Sequence, residues 1–98
     1  MPVSLILSTC PDADTAQRLA RILVEERLAA CVSLLPAGVS TYRWQGRVEQ
    51  ATEVQLLAKT PADRRDALMA RLAELHPYEL PEILAVETAA SLPAYLDW

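Results

Sequence analysis

The sequence predicts an α+β domain whose elements follow the order βαββαβ, with an antiparallel sheet covered by two helices on one face. Three observations support this fold class. A short apolar strand pattern precedes a helical period, a tight turn folds a long extended stretch back on itself, and a second helical period leads into a last apolar run. With 98 residues, 52% of them hydrophobic, the chain is long enough for one compact core and too short for two. We therefore expect residues 1–98 to form a single domain.

The first strand and the first helix are indicated near the N-terminus. Residues 3–9 form a short, mostly apolar run, and Pro11 ends it. Asp12 then supplies a side-chain acceptor for the first N–H groups of a helix that runs to about residue 28. Apolar residues recur at helical spacing on one side of this segment, which is typical of a buried stripe. They are Ala16, Leu19, Ala20 and Leu23.

The middle of the chain predicts a long hairpin. Residues 31–44 have an extended pattern, and Pro36 and Gly38 interrupt it in a way that indicates a bulge or a bend. Residues 44–47, Trp-Gln-Gly-Arg, predict a tight turn, and residues 48–59 return as a strand. The residues expected on the buried face of this returning strand are Val54, Leu56 and Ala58.

The last third of the chain predicts a second helix and a fourth strand. We expect Thr60 to cap the helix, with Pro61 at its first position. The helix must end before Pro77, and residues 83–87 supply the last strand, while residues 92–98 indicate a short terminal helix or turn. The buried stripe of the second helix consists of Leu68, Leu72 and Leu75. This order is the ferredoxin-like arrangement, which right-handed crossovers favour.

The hairpin is too long for the globule that carries it. Residues 31–44, at roughly 3.3 Å each, span about 45 Å, whereas a domain of this length has a radius of gyration of about 13 Å and a diameter of roughly 33 Å. An overhanging ribbon that carries Val39, Tyr42 and Trp44 exposes apolar surface and strand edges, which a protein must cover. We therefore predict a homo-oligomer in which each hairpin packs on a neighbour, in a closed ring rather than an open fibre.

Composition excludes several classes of partner. The formal net charge is −4 and the charged residues are scattered, so we expect no nucleic-acid partner. No apolar run approaches the roughly 18 residues of a membrane span, and no basic segment precedes the first apolar run, so we expect no membrane partner. Cys10 and Cys31 form neither a CxxC pair nor a disulfide framework, which fits a reducing compartment. We predict a cytoplasmic protein.

The most unusual segment is His76-Pro77-Tyr78-Glu79-Leu80-Pro81-Glu82-Ile83, here called the 76–83 connector. It places the only histidine of the chain, a tyrosine and two carboxylates around two prolines. Each Pro fixes its own φ and keeps the preceding residue extended, so the connector is stiff. A stiff polar segment just after a helix is where a protein presents groups to a ligand or a partner.

Enzyme and carrier classes with the same order of elements fit this sequence poorly. Acylphosphatases rely on an arginine and an asparagine, and the chain contains no Asn. Small copper chaperones carry a CxxC loop, and RNA-binding domains stack bases on Phe-rich strands; the chain has no CxxC and no Phe. No nucleophile stands beside a base, and the only glycines, Gly38 and Gly46, form no phosphate loop. The sequence predicts a non-enzymatic binding or regulatory protein.

Several motifs, in order along nearly the whole chain, resemble the CutA family of divalent-cation tolerance proteins. They are Thr9 with Pro11-Asp12, Leu28-Ala29-Ala30-Cys31-Val32, Ser40-Thr41-Tyr42-Arg43-Trp44 followed by Gly46, Glu53, Lys59-Thr60, His76-Pro77-Tyr78-Glu79 with Pro81-Glu82-Ile83, and Tyr95-Leu96 with Trp98. The resemblance implies a ferredoxin-like subunit in a very stable homotrimer, similar in plan to the PII signalling proteins. It also implies a role in the response to metal ions, as tolerance to copper and other divalent cations.

Metal binding is the first functional hypothesis. The main candidate donors are His76, Cys10 and Cys31, since thiolate suits Cu(I) and imidazole suits Cu(II) and Zn(II). Glu79 and Glu82 are carboxylates that could complete a harder site. The alternative for Cys31 is a small buried apolar residue, and the alternative for His76 is a hydrogen-bonded structural residue.

The copper ligands that the resemblance implies fall on Ser8, Leu75 and His76. Two of these three positions therefore lack a donor of the expected kind. Cys10 would share the face of Ser8 if the first strand continued through it, because side chains alternate along a strand.

A second constellation combines aromatic side chains with charges of both signs, as binding clefts do. Its members are Tyr42, Trp44, Glu53, Lys59, Tyr78, Glu79 and Glu82. We expect these residues to converge at a subunit interface. They would either bind a small effector, such as an anion, or form ion pairs and aromatic anchors that lock the trimer, and both roles are compatible. Three hypotheses follow: a metal-tolerance protein, a PII-like protein that binds an effector, and a scaffold for a partner protein.

Overall fold

The computed structural model describes residues 2–96 and contains the predicted elements in the predicted order. The bounds are β1 Val3–Cys10, α1 Ala13–Glu25, β2 Cys31–Trp44, β3 Arg47–Pro61, a 3₁₀ turn Ala62–Arg64, α2 Arg65–Leu75, β4 Ile83–Glu87 and α3 Pro93–Leu96. The strands form one antiparallel sheet in the order β2-β3-β1-β4. The α+β, ferredoxin-like fold class is therefore confirmed. Of the predicted terminal segment, residues 97 and 98 lie outside the described residues.

One face of the sheet, called the helix face, is covered by α1 and α2. Burial alternates along β1 because successive side chains of a strand point to opposite faces. The predicted stripes of the returning strand and of both helices meet in one core, except that Ala20 of the first stripe is only half-buried. Its buried members are Ile6, Cys10, Val54, Leu56 and Ala58 from the strands, Ala16, Leu19, Leu23, Leu68 and Leu72 from the helices, and Ala29 after α1, and Leu75 packs against them.

The opposite face of the sheet is not covered by α1 or α2. We call it the open face and define it by five apolar residues that the strand register places side by side: Leu5, Leu7, Leu57, Leu84 and Val86. The side chains of Leu84 and Val86 are 53% and 46% exposed. A contiguous apolar patch of this kind on a sheet is a surface that association can bury.

The predicted hairpin is present and long. The Cα atoms of the described chain extend over 45 × 26 × 23 Å, with a radius of gyration of 14.1 Å, larger than the value of about 13 Å expected for a domain of this length. The register shifts at the predicted bulge, since Leu35 pairs with Gln55 but Gly38 pairs with Glu53. β2 thus contains one extra residue at this point, which reverses the face to which its following side chains point.

The turn of the hairpin depends on left-handed backbone at two residues. Gln45 has φ 50° and Gly46 has φ 79°, as expected for the mirror-image turns that match the twist of a hairpin. We expect Gly46→Ala to lower the free energy of unfolding by about 1 kcal/mol, because an L residue is strained in this region. A Cβ at Gly46 would meet nothing within 4 Å, so the effect comes from the backbone alone.

Gly38→Ala is the matched control for this prediction. A Cβ at Gly38 also meets open space, and the φ of Gly38 is not in the left-handed region. The same substitution is therefore expected to cause no loss of stability. Urea unfolding at one fixed chain concentration compares the two variants. Equal losses would contradict the turn as the cause.

The first helix ends earlier than the sequence predicts. α1 stops at Glu25 rather than near residue 28. Arg27 has a φ of 60°, and the N–H of Leu28 donates to the carbonyl of Leu23 at 2.9 Å. This is the bonding pattern of a helix that is closed by one left-handed residue. The signal was weak in the sequence because such positions usually hold Gly or Asn rather than Arg.

The prediction that Thr60 caps the second helix is wrong. Thr60 lies in β3, and its hydroxyl donates to the carbonyl of Leu28 at 2.6 Å. The hydroxyl thus ties the end of β3 to the segment between α1 and β2. β3 continues through Pro61, and a 3₁₀ turn separates it from α2.

Candidate functional site

The 76–83 connector is fixed to the end of β1 by its histidine. The Nε2–H of His76 donates to the carbonyl of Thr9 at 2.8 Å, and Nδ1 accepts from the backbone N–H of Tyr78 at 3.1 Å. This pair of bonds requires the neutral ring with its proton on Nε2. The residue is only 7% exposed and its backbone is extended, as the following Pro77 requires. Both ring nitrogens are therefore used to hold the chain.

Tyr78 joins the connector to the hairpin. Its hydroxyl donates to Oε2 of Glu53 at 2.6 Å, and its ring lies 4.9 Å from the His76 ring, centroid to centroid. Burial of the phenol, followed by its bond to the Glu53 carboxylate, raises the pKa of Tyr78 far above its ordinary value. The bond spans 25 positions in the chain and sets the distance between connector and hairpin at this point.

The raised pKa of Tyr78 gives a direct spectroscopic prediction. Subtracting the ultraviolet titration of Tyr78→Phe from that of the wild type isolates the signal of Tyr78. For the folded protein, this difference should show no tyrosinate near pH 10, where a free phenol ionises. In urea the same difference should show one tyrosinate near pH 10. The pKa of Tyr78 is higher in the folded state than in the unfolded state. Its hydroxyl bond therefore stabilises the fold fully at pH values below the unfolded-state pKa, and this stabilisation is lost as the pH rises through the folded-state pKa. A native difference that titrates near pH 10 would contradict the buried bond.

An open cleft lies between the hairpin and the connector. Its volume is about 860 Å³, within the range of ligand pockets. It is lined by Thr9, Ser40, Thr41, Tyr42, Trp44, Ala51, Glu53, Pro77, Tyr78, Glu79, Leu80 and Glu82. The structure thus brings together Tyr42, Trp44, Glu53, Tyr78, Glu79 and Glu82 of the predicted constellation. We call it the connector cleft. A smaller cavity of about 260 Å³, lined in part by Thr9, Ser40, Glu53 and Glu82, adjoins it.

The bulge in β2 is what aims the aromatic side chains into this cleft. Past the bulge, Ser40 pairs with Ala51 and Tyr42 pairs with Glu49, so these side chains share the face of Glu53. Without the extra residue the face of Tyr42 and Trp44 would be reversed. Sequence reasoning did not name Thr9, Ser40 and Thr41 as site residues, although all three stand in the motifs that carry the family resemblance.

Lys59 does not reach the connector cleft. It pairs with Leu5 and Cys31 near the other end of the sheet. Six positions of β3 separate Lys59 from Glu53, which corresponds to about 20 Å along a strand. The cleft therefore has no lysine, arginine or histidine among its described lining residues. Its charges come from carboxylates.

The three main metal donors do not share one space in the subunit. Cys10 is fully buried on the helix face, whereas Cys31 pairs with Lys59 on the other face of the sheet. Burial, with the nearby charges of Asp12 and Glu53, raises the pKa of the Cys10 thiol, which disfavours the thiolate that a metal needs. Within residues 2–96 no group of three or more His, Cys, Asp or Glu side chains could hold a metal ion.

Ser8 and Cys10 do share one face, because β1 continues through Cys10. Both are fully buried, and the Ser8 hydroxyl has no hydrogen-bond partner among the described residues. Leu75, the other position implied by the resemblance, packs against the core. A metal ion at these positions would therefore have to enter the hydrophobic core.

Comparison with known proteins agrees with this architecture. The sequence matches the family model CutA1, the CutA1 divalent ion tolerance protein, over residues 4–98. The divalent-cation tolerance protein CutA of Pectobacterium atrosepticum is 47% identical over 94 residues, which cover 96% of this chain and 86% of that protein. The crystal structure of CutA from Xylella fastidiosa is 56% identical, with a TM-score of 0.95 over 98% of this chain and 92% of that one.

A more distant structure bears on location. The periplasmic divalent cation tolerance protein CutA from Archaeoglobus fulgidus is 32% identical, with a TM-score of 0.94 over 98% of this chain and 93% of that one. Within residues 2–96, no helix has the length and apolar character that a membrane crossing needs. A cytoplasmic location stays a prediction. The family match and the close relatives together show that the chain belongs to the CutA1 family of divalent ion tolerance proteins.

Proposed function

We propose that this chain acts in tolerance to divalent cations, copper among them, as a non-enzymatic homotrimer whose working site is the connector cleft. The observation that carries the proposal is the gathering of three carboxylates and three aromatic side chains in one cleft. The names of the family and of its close members support the general role. In the cleft, groups able to meet a ligand lie together and open to solvent.

The state of His76 supports a role without catalysis. A general acid or base must have a ring nitrogen within reach of a substrate. Both nitrogens of His76 are bonded to the backbone, at Thr9 and Tyr78. The thiol of Cys10 is buried in the core, and its raised pKa disfavours the thiolate that would act as a nucleophile.

Assembly into trimers is supported by two surfaces of the single chain. The open face presents a contiguous apolar patch, and the hairpin exposes apolar side chains along its length. Val39 and Val48 are 67% and 65% exposed. Burying both surfaces against further copies would remove them from water. The family resemblance implies that the assembly has three subunits.

Direct copper binding by Cys10, Cys31 and His76 stays a prediction that the geometry of one subunit does not favour. The two thiols lie on opposite faces of the sheet, and His76 uses both ring nitrogens within the fold. We infer that tolerance acts through the cleft carboxylates or through what they bind, rather than through these three donors.

A growth assay tests the proposal. In a bacterial strain without its own CutA gene, the wild-type chain should restore growth at inhibitory copper concentrations, and Glu79→Gln/Glu82→Gln should not. The control variant Glu25→Gln/Glu74→Gln also removes two negative charges, but from exposed positions on the helices. There each glutamate has an arginine partner, and this variant should restore growth. Equal growth of the two double variants would overturn the cleft as the working site.

A second candidate function is favoured by the shape and lining of the cleft. It is large enough for a small metabolite, and Tyr42, Trp44 and Tyr78 provide flat apolar surface beside the charges. A PII-like effector role would place such a metabolite here, between hairpin and connector. A scaffold role for a partner protein has no comparable feature in its support.

A further inference from the structure

Within the described residues of one subunit, the carboxylates of the connector cleft have no basic partner. Within residues 2–96 the ion pairs join arginines to Asp66, Glu25, Glu26, Glu74 and Glu87, and none includes Glu53, Glu79 or Glu82. The described lining of the cleft contains no basic side chain. A concave site lined by one sign of charge focuses the potential and concentrates ions of the opposite sign. The lining of the single subunit therefore favours cations over the anion that the sequence allowed.

Glu53 is held in place for such a contact. One of its oxygens, Oε2, accepts the hydroxyl of Tyr78 at 2.6 Å, and within the described residues its other oxygen has no hydrogen bond. The bond removes most of the rotational freedom of this carboxylate before any ligand arrives. Glu79 and Glu82 are exposed on the stiff connector.

The aromatic walls argue against a bare metal ion as the ligand. Divalent ions such as Mg²⁺ and Ca²⁺ take shells of oxygen ligands, and residues 2–96 contain no group of three acidic, cysteine or histidine side chains placed to hold one ion. In the single subunit, Tyr42 and Trp44 are instead 44% and 50% exposed and line the same cleft. Aromatic faces attract ammonium groups and pack against methylene chains.

We propose that the connector cleft binds an aliphatic di- or polyamine. Its ammonium groups are recognised by the carboxylates of Glu53, Glu79 and Glu82, and its methylene chain packs on Tyr42 and Trp44. This inference rests on the effector role, the second candidate above, and names the chemical class of the effector. It does not depend on the role in copper tolerance, which the growth assay tests separately.

Isothermal titration calorimetry of the assembled protein with spermidine tests this inference. We expect saturable binding of one spermidine per chain, weakened at least tenfold in Glu79→Gln/Glu82→Gln and about fivefold in Trp44→Ala, where the aromatic contact is lost. The control Glu25→Gln/Glu74→Gln carries the same net charge as the first variant, and its affinity should stay within twofold of wild type. Circular dichroism confirms that each variant is folded.

Further ligands separate the possible outcomes. Hexylamine, which has one ammonium group, and Mg²⁺ should bind at least tenfold more weakly than spermidine. Three results would overturn the inference: no saturation at millimolar spermidine, equal weakening in both double variants, or Mg²⁺ binding as tight as spermidine. The second would mean attraction to net charge alone, and the third a simple cation site without a role for the aromatic walls.

Discussion

Replacement of His76 by alanine is expected to lower the free energy of unfolding by about 3 kcal/mol, because two buried backbone groups lose their partners. The carbonyl of Thr9 and the N–H of Tyr78 both bond to the imidazole, and the ring is 7% exposed. Water cannot easily replace these bonds without opening the connector. The same variant should bind copper within twofold of the wild type, since neither ring nitrogen is available to a metal in the folded subunit.

Two conservative variants divide this effect. His76→Asn keeps an acceptor near the position of Nδ1, and His76→Gln keeps a donor near the position of Nε2. Each should retain one of the two bonds and lose about half of the stability that alanine loses. Urea unfolding and copper calorimetry on chelator-treated protein are the measurements. An alanine variant with unchanged stability and a tenfold weaker copper affinity would show that His76 is a metal ligand instead.

The fold was predictable because its signals are local. The alternation in β3 and the helical spacing of Leu19 and Leu23 each fit one period only, so element types and order followed from them. Thr60 misled because a Thr-Pro pair followed by an acid suits a helix start, yet the same Thr can end a strand. The long-range bond from its hydroxyl to Leu28 decided between the two, and no local pattern carries that information.

The residues of the site were easier to predict from the sequence than their arrangement in space. Convergence of Tyr78 with Glu53 and of Tyr42 with the connector needed the register of the hairpin, which depends on the size of the bulge. The interruption by Pro36 and Gly38 indicated that a bulge exists but not that it adds one residue. The position of Lys59 was readable, because six residues of one strand already place it about 20 Å from Glu53.

The bonds of His76 illustrate what a sequence does not carry. Its Nε2 contacts a carbonyl 67 positions away. The connector motif pointed to this histidine as an important residue, and both the ligand role and the structural role were compatible with that motif. Only the three-dimensional structure distinguishes them, because both depend on which atoms face the ring.

The largest expected effect on assembly comes from Leu84→Glu on the open face. The wild-type protein should sediment at micromolar concentration with three times the 10.8 kDa mass of one chain, and the variant with the mass of a single chain. If copies meet through the open face, the new carboxylate is buried without a partner, at a cost of about 3 kcal/mol per subunit or more. Leu84 is 53% exposed in the single subunit, so the subunit itself should still fold.

Val24→Glu provides the matched control, because Val24 is 42% exposed in α1, away from the open face. The same change of side chain there adds the same charge but lies outside the proposed contact, so the trimer should persist. A wild-type protein that sediments as one chain would refute the trimer. Dissociation of the trimer by both variants would show that the added charge, and not its position, causes the effect. Dissociation by Leu84→Glu alone places the contact on the open face, since only the location of the carboxylate differs between the two proteins.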